Sequence, residues 1–137
     1  MGRALCRLRL PFAAARGAAR LDDEFEPEFL ALRQDVQDNV LAVARLLADD
    51  GPRLGRPYAD TLKGSKHANM KELRLDVSDG VWRVAYAFDP RRQGILLAAG
   101  NKSGVTESRF YKRLIARADK RYTAHLRRLQ QTVTKRD

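Results

Sequence analysis

One cysteine, two histidines and one tryptophan among 137 residues remove several kinds of chemistry at the outset. The single thiol, Cys6, excludes an intramolecular disulfide and any cysteine-based zinc site, and so low a cysteine count fits a reducing cytoplasm. With only His67 and His125 besides, and no paired metal-ligand spacing, neither a metal nor a cofactor is expected. No run of 18 apolar residues occurs, so no segment is expected to span or anchor in a membrane. The first twenty residues are basic and alanine-rich, but Arg7, Arg9 and Arg16 interrupt any hydrophobic stretch, which argues against a secretory signal.

Acid is also missing where base is abundant. Residues 1–21 carry five Arg and no acid, residues 22–62 sum to −6, and residues 63–137 sum to +11, within an overall +10. A basic C-terminal half beside an acidic middle is the footprint of a polyanion-binding face with an opposite pole. The stretch from Lys63 to Arg74 is the densest part of that face: Lys63, Lys66, His67, Lys71 and Arg74 lie in or just after a glycine-containing loop.

Periodicity supplies the frame. Phe25, Phe29, Leu32, Val36, Val40, Val43 and Leu47 recur at steps of three and four, which predicts one amphipathic helix with acids Asp22, Asp23 and Glu24 at its N-terminal end. Asp49-Asp50-Gly51-Pro52 should end it, and residues 52–62 read as a loop or a short turn of helix. Lys71–Val77, Val81–Phe88 and the run through Ala99 alternate as strands, joined by Ser78-Asp79-Gly80 and by Asp89–Gly94, which predicts an antiparallel meander. Trp82, Val84, Tyr86 and Phe88 then share one face, and Arg83 lies on the other with Ala85 and Ala87. Phe110, Leu114, Ala118, Tyr122, His125 and Leu129 mark a final basic helix. The expected class is α+β: a small antiparallel or mixed sheet, an N-terminal helix or helical hairpin packed on it, and a C-terminal basic helix.

Several local words occur in a telling order. Asp23-Glu24-Phe25 with Phe29, then the stretch Arg56–Ser65, then Met70-Lys71-Glu72-Leu73-Arg74 resemble the RelE/ParE superfamily of toxins from toxin–antitoxin systems, and within it the HigB-like, phage-derived branch. The words Arg83–Pro90, Ala99–Gly104 and Arg109-Phe110-Tyr111, followed by Ala118-Asp119 and His125-Leu126, extend the resemblance over residues 22–129. It implies a toxin that cleaves messenger RNA, often on the ribosome, and a neutralising antitoxin, expected to be a helix-turn-helix protein encoded next door. Members usually begin with an edge strand directly before the Asp-Glu-Phe word. Residues 11–20 make a poor strand here, although Leu8 and Leu10 allow a weak one near residues 6–10. The expected division is a poorly ordered or weakly paired segment over 1–20, the toxin domain over 21–129 and a frayed tail over 130–137.

Metal-free RNA cleavage needs a proton taken from the 2′-hydroxyl, charge neutralised on the phosphorane and a proton delivered to the leaving oxygen. Arg74 and Arg83, on adjacent strands, are the candidates for the phosphate clamp, because a guanidinium bonds two phosphate oxygens at once. Lys71 and Lys102 would add charge or act as a base, His67 would serve as acid or base, and Tyr111 would stack a base or donate its hydroxyl. Lys63, Lys66, Arg109 and Lys112 are the candidate RNA contacts. Each has an ordinary alternative: Arg74 can pair with Glu72 or Asp76, single lysines can be solvated charges, and His125 reads as a packing residue. Two other functions fit the same frame, a ParE-like poison of DNA gyrase and a non-catalytic nucleic-acid-binding domain.

Overall fold

The computed structural model describes residues 18–77 and 80–136. Five strands form one sheet in the order β1-β5-β4-β3-β2, with β1 at Ala18–Leu21, β2 at Ala59–Thr61, β3 at Lys71–Val77, β4 at Gly80–Phe88 and β5 at Gln93–Asn101. Only β1 runs parallel to its neighbour, β5, so the sheet is mixed. Helices α1 (Phe25–Leu30) and α2 (Gln34–Asp50) precede β2, a 3-10 turn over Gly51–Arg53 follows α2, and α3 covers Glu107–Arg136.

The chain divides its apolar residues between two cores. On one face of the sheet, Phe25 and Phe29 of α1 and Val36, Val40, Ala44 and Leu47 of α2 pack on Leu73, Leu75, Val84, Tyr86 and Leu96. On the other, Phe110, Leu114, Ala118 and Tyr122 of α3 pack on Ala85, Ala87, Ile95, Leu97 and Ala98. The small residues on β4 let α3 come close, and Gly100 does the same further along: a Cβ there would lie 2.9 Å from the Phe110 ring. Leu47 is fully buried, and its truncation to alanine would cost about 2–5 kcal/mol.

Four expectations are corrected. The strand before Asp22 does exist, at Ala18–Leu21, where Ala19 and Leu21 point into the core and the backbone pairs with β5 from Gln93 to Leu96. The alternative strand near residues 6–10 lies outside the described residues. The stripe from Phe25 to Leu47, read from periodicity as one helix, is two, which stays within the expected class; Arg33 is extended (ψ 151) and the Gln37 amide donates to the carbonyls of Leu30 and Leu32, which the break exposes. The apolar stripe runs on across that break, which is why periodicity hid it. Residues 52–62 include a strand, β2, held to β3 through Ala59↔Leu73 and Asp60↔Glu72. Finally, α3 continues through Arg136, where a frayed tail was expected from Gln130.

The turns follow their chemistry. Gly51 closes α2 at φ 63, a conformation that strains any residue with a Cβ. Asp89 accepts hydrogen bonds from the backbone N–H groups of Arg91 and Gln93, which fixes the second hairpin. The expected first turn includes Ser78 and Asp79, which lie outside the described residues.

One irregularity shapes the domain. The β4–β5 register shifts between Ala85 and Tyr86, so that Ala85 pairs with Ala98 but Tyr86 with Leu96. Leu97 is the extra residue of this bulge, and its carbonyl accepts a 2.8 Å hydrogen bond from buried Arg121 of α3. The same guanidinium grips Glu28 of α1 through both carboxylate oxygens, so one side chain ties α1, β5 and α3 together. The Arg121 bond, followed by the Arg117 charge, holds the Glu28 carboxyl below its usual range.

Candidate functional site

The meander carries its cations to one face in register. Arg74 on β3 pairs with Arg83 on β4, and Arg83 with Gly100 on β5. Directly opposed residues share a face of the sheet, here the face that α3 covers. One row away, Asp60, Glu72 and Ala85 line up in the same way.

Glu72 is the centre of this face, and it is buried. Its Oε1 accepts the Tyr111 hydroxyl at 2.7 Å and lies 3.8 Å from Arg83 Nε. Its Oε2 accepts from Arg74 Nη1 at 3.1 Å, and the same nitrogen is 3.9 Å from Asp60. Asp60 in turn binds Arg56 at 2.6 Å. On the far side, Lys102 Nζ lies 5.5 Å from the centre of the Tyr111 ring and 3.7 Å from Glu107. The result is a chain of alternating charge from Arg56 to Glu107, with one buried carboxylate at its middle.

Two environments follow from that arrangement. Burial, then the Glu72 carboxylate, push the Tyr111 hydroxyl above the usual tyrosine range, so it keeps its proton. Arg83 is the second. It is 5% exposed because α3 lies over its face of the sheet. Its Nη1 donates to the Trp82 carbonyl, while its buried Nε has no hydrogen-bond partner. A buried guanidinium with a spare donor is costly to a fold. An anion could satisfy it only after the side chains that cover it move aside, since the atom is buried.

Of the expected catalytic residues, the structure brings together Arg74, Arg83, Tyr111 and Lys102. Two lie elsewhere. Lys71 shares the opposite face of β3 with Leu73 and Leu75. His67 bonds the Thr123 hydroxyl at 3.0 Å and sits edge-on to Tyr122, so its contacts on α3 fall twelve residues, roughly 18 Å of helix, from Tyr111. Lys63 and Lys66 are exposed on the loop before β3, which Asp119 fastens to α3 by accepting from the Ser65 hydroxyl and the Lys66 N–H. Arg109 and Lys112 are exposed on the first turns of α3, on either side of Tyr111 in sequence.

His125 is a buried packing residue whose Nε2 meets the Asp89 carboxylate at 2.8 Å. Burial raises the Asp89 carboxyl, but that contact and two backbone N–H donors outweigh it and leave the group below its ordinary range. A cavity of about 180 Å³ opens beside α3 and β5, lined by Gly100, Phe110, Arg113 and Arg117; Arg74, Glu72 and Tyr111 do not line it. Among the described residues no group of three His, Cys, Asp or Glu is placed to hold a metal ion, and no helix is long and apolar enough to cross a membrane.

Glu72 is the functional candidate that sequence reasoning missed. It entered only as an ordinary partner for Arg74. The available signal was its spacing: Glu72 and Arg74 are two apart on a strand and so share a face.

Comparison with known proteins is consistent with this frame. Residues 27–123 match the family described as phage-derived protein Gp49-like. The chain is 43% identical over 107 residues to a candidate toxin, HigB2, of Mycobacterium tuberculosis, an alignment covering 77% of this chain and 52% of that protein. It therefore spans about half the length of that relative. It is 42% identical over 98 residues to a second candidate toxin of the same organism, HigB3, covering 72% of this chain and 83% of that one. In fold it resembles a mutant of the E. coli toxin RelE in the free state, with a TM-score of 0.52 and 14% identity over 72% of this chain and 92% of that chain.

Proposed function

Because the chain belongs to the phage-derived Gp49-like family, a HigB-like branch of the RelE/ParE superfamily, we propose that it is the toxin of a toxin–antitoxin module and acts as a metal-independent endoribonuclease on messenger RNA at the ribosome. The observation that carries this reading is the in-register pair Arg74↔Arg83 beside the buried Glu72–Tyr111 bond. Two guanidinia next to an acid–base pair match what cleavage at a phosphodiester demands.

In the proposed reaction, RNA phosphate displaces Glu72 from Arg74 and takes up the spare Nε donor of Arg83. The Tyr111 oxygen receives the 2′-hydroxyl proton as the Tyr111 proton moves to Glu72. The 2′-oxygen attacks phosphorus, the bond to the 5′-oxygen breaks, and the Lys102 ammonium protonates the leaving oxygen. The products are a 2′,3′-cyclic phosphate and a 5′-hydroxyl end. Lys63, Lys66, Arg109 and Lys112 contribute backbone contacts that carry no sequence information. An antitoxin with a net negative contacting segment would silence the +11 half of the chain by covering it.

Primer extension on messenger RNA from cells expressing the chain tests this reading. Discrete new 5′ ends are expected, and their loss in a folded Arg83 variant. A DNA-damage response without new ends would favour a gyrase poison, and growth arrest with neither would favour binding alone.

A further inference from the structure

Tyr58 precedes β2 and is 43% exposed, although it is a large aromatic side chain. Its carbonyl accepts the Arg74 N–H at 2.8 Å, so the β2–β3 register continues one step beyond β2 and sets Tyr58 opposite Arg74. Three positions therefore align on one face, Tyr58 just before β2, Arg74 on β3 and Arg83 on β4. An open aromatic ring stands at the exposed end of this row and two guanidinia follow it inward.

Tyr111 was expected to stack a base or donate its hydroxyl, and of the two it is not open for stacking. Its hydroxyl is committed to Glu72, the Phe110 ring meets it edge-on with centroids 5.1 Å apart, and Lys102 lies over its ring. Single exposed apolar residues are common on protein surfaces. An exposed aromatic in register with a phosphate clamp is less easily dismissed, because single-stranded RNA is held by cations on its backbone and aromatic faces on its bases.

We propose that Tyr58 is the stacking platform for a nucleobase next to the scissile phosphate, and that it sets the position of cleavage. The proposal rests on the endoribonuclease reading and adds the group that fixes the substrate's register. A base on Tyr58 pins the strand one position from Arg74, so the phosphate clamped by Arg74 and Arg83 is the one joined to the stacked nucleotide. Stacking tolerates any base, with only a modest preference for the larger faces of purines, and Tyr58 reads no hydrogen-bond pattern.

The test uses a 2′-O-methyl RNA pentamer, which cannot be cleaved, carrying one 2-aminopurine whose fluorescence falls on stacking. Wild-type protein should quench it, Tyr58→Ala should lose the quench and bind about tenfold more weakly, and Tyr58→Phe should retain both. Equal quenching by wild type and Tyr58→Ala would overturn the proposal and leave the clamp intact. Absence of wild-type binding to the pentamer would overturn it too. Failure of the endoribonuclease reading itself is scored separately, as absence of cleavage by the wild type in the Arg83 comparison. In that assay Tyr58→Ala should spread or shift the cleavage positions, and an unchanged pattern would again contradict the assignment.

Discussion

Tyr111 on α3 gives its hydroxyl to the buried Glu72 of β3 at 2.7 Å, a bond that spans 39 residues of sequence. Glu72 also receives Arg74 and faces Arg83, so it neutralises at rest the cations that the proposed reaction needs for phosphate. Glu72→Gln keeps an acceptor for Tyr111 but removes the charge and the proton sink. Cleavage should fall by at least about 100-fold, measured in single-turnover assays on protein shown by circular dichroism to be folded.

Arg83 is buried, which changes what its removal should do to the fold. Arg83→Ala strips Glu72 of a counter-charge and opens space under α3, so it should destabilise by about 3 kcal/mol. Replacing both charges, as Arg83→Met with Glu72→Gln, should recover most of that loss while cleavage stays absent. Chemical denaturation of the three proteins checks this. Equal stability of wild type and Arg83→Ala would mean that the pair contributes nothing to the fold.

His67 lies by Thr123 and Tyr122, at the other end of the α3 contact from Tyr111. His67→Ala should therefore leave the cleavage rate within about threefold of wild type. A loss as large as that of Glu72→Gln would place His67 in the reaction after all.

Asp89→Asn should reveal a pH-dependent part of stability. The Asp89 carboxyl sits below its ordinary range in the folded state, so its contribution is present above the unfolded value of about 3.9 and is lost as pH falls through the lower folded value. The variant should be less stable than wild type by about 1–3 kcal/mol at pH 7. That gap should shrink below pH 4 in urea titrations.

Arg121→Ala should lower the thermal midpoint by several degrees, a loss of about 2 kcal/mol. It frees the Leu97 carbonyl at the bulge and releases Glu28 of α1. Glu28 is half-exposed, which keeps the loss below that of a fully buried pair.

The elements legible in the sequence are those with long, regular patterns. The stripe from Val36 to Leu47, the alternation from Val81 to Phe88 and the spacing from Phe110 to His125 each read correctly, including the face that Arg83 shares with Ala85. The rest depended on partners far along the chain. Ala18–Leu21 is too short to show alternation, and it becomes a strand by pairing with Gln93–Leu96. Ala59–Thr61 likewise exists through β3. The bulge at Leu97 is invisible without Arg121, and Glu72 becomes a central residue only when α3 brings Tyr111 to it. The arginines of the proposed site stood out by charge; the carboxylate did not, because a lone Glu beside an Arg on a strand reads as an ordinary surface pair.

The most direct measurement is cleavage of ribosome-bound messenger RNA by the purified protein, with the new ends identified chemically. Wild type should produce discrete fragments ending in 2′,3′-cyclic phosphate and beginning with 5′-hydroxyl. Arg83→Lys keeps the charge but loses the planar fork, and it should fold and cleave at least about 100-fold more slowly. Cleavage at the wild-type rate by folded Arg83→Lys, or no cleavage by wild type at all, would contradict the proposed site.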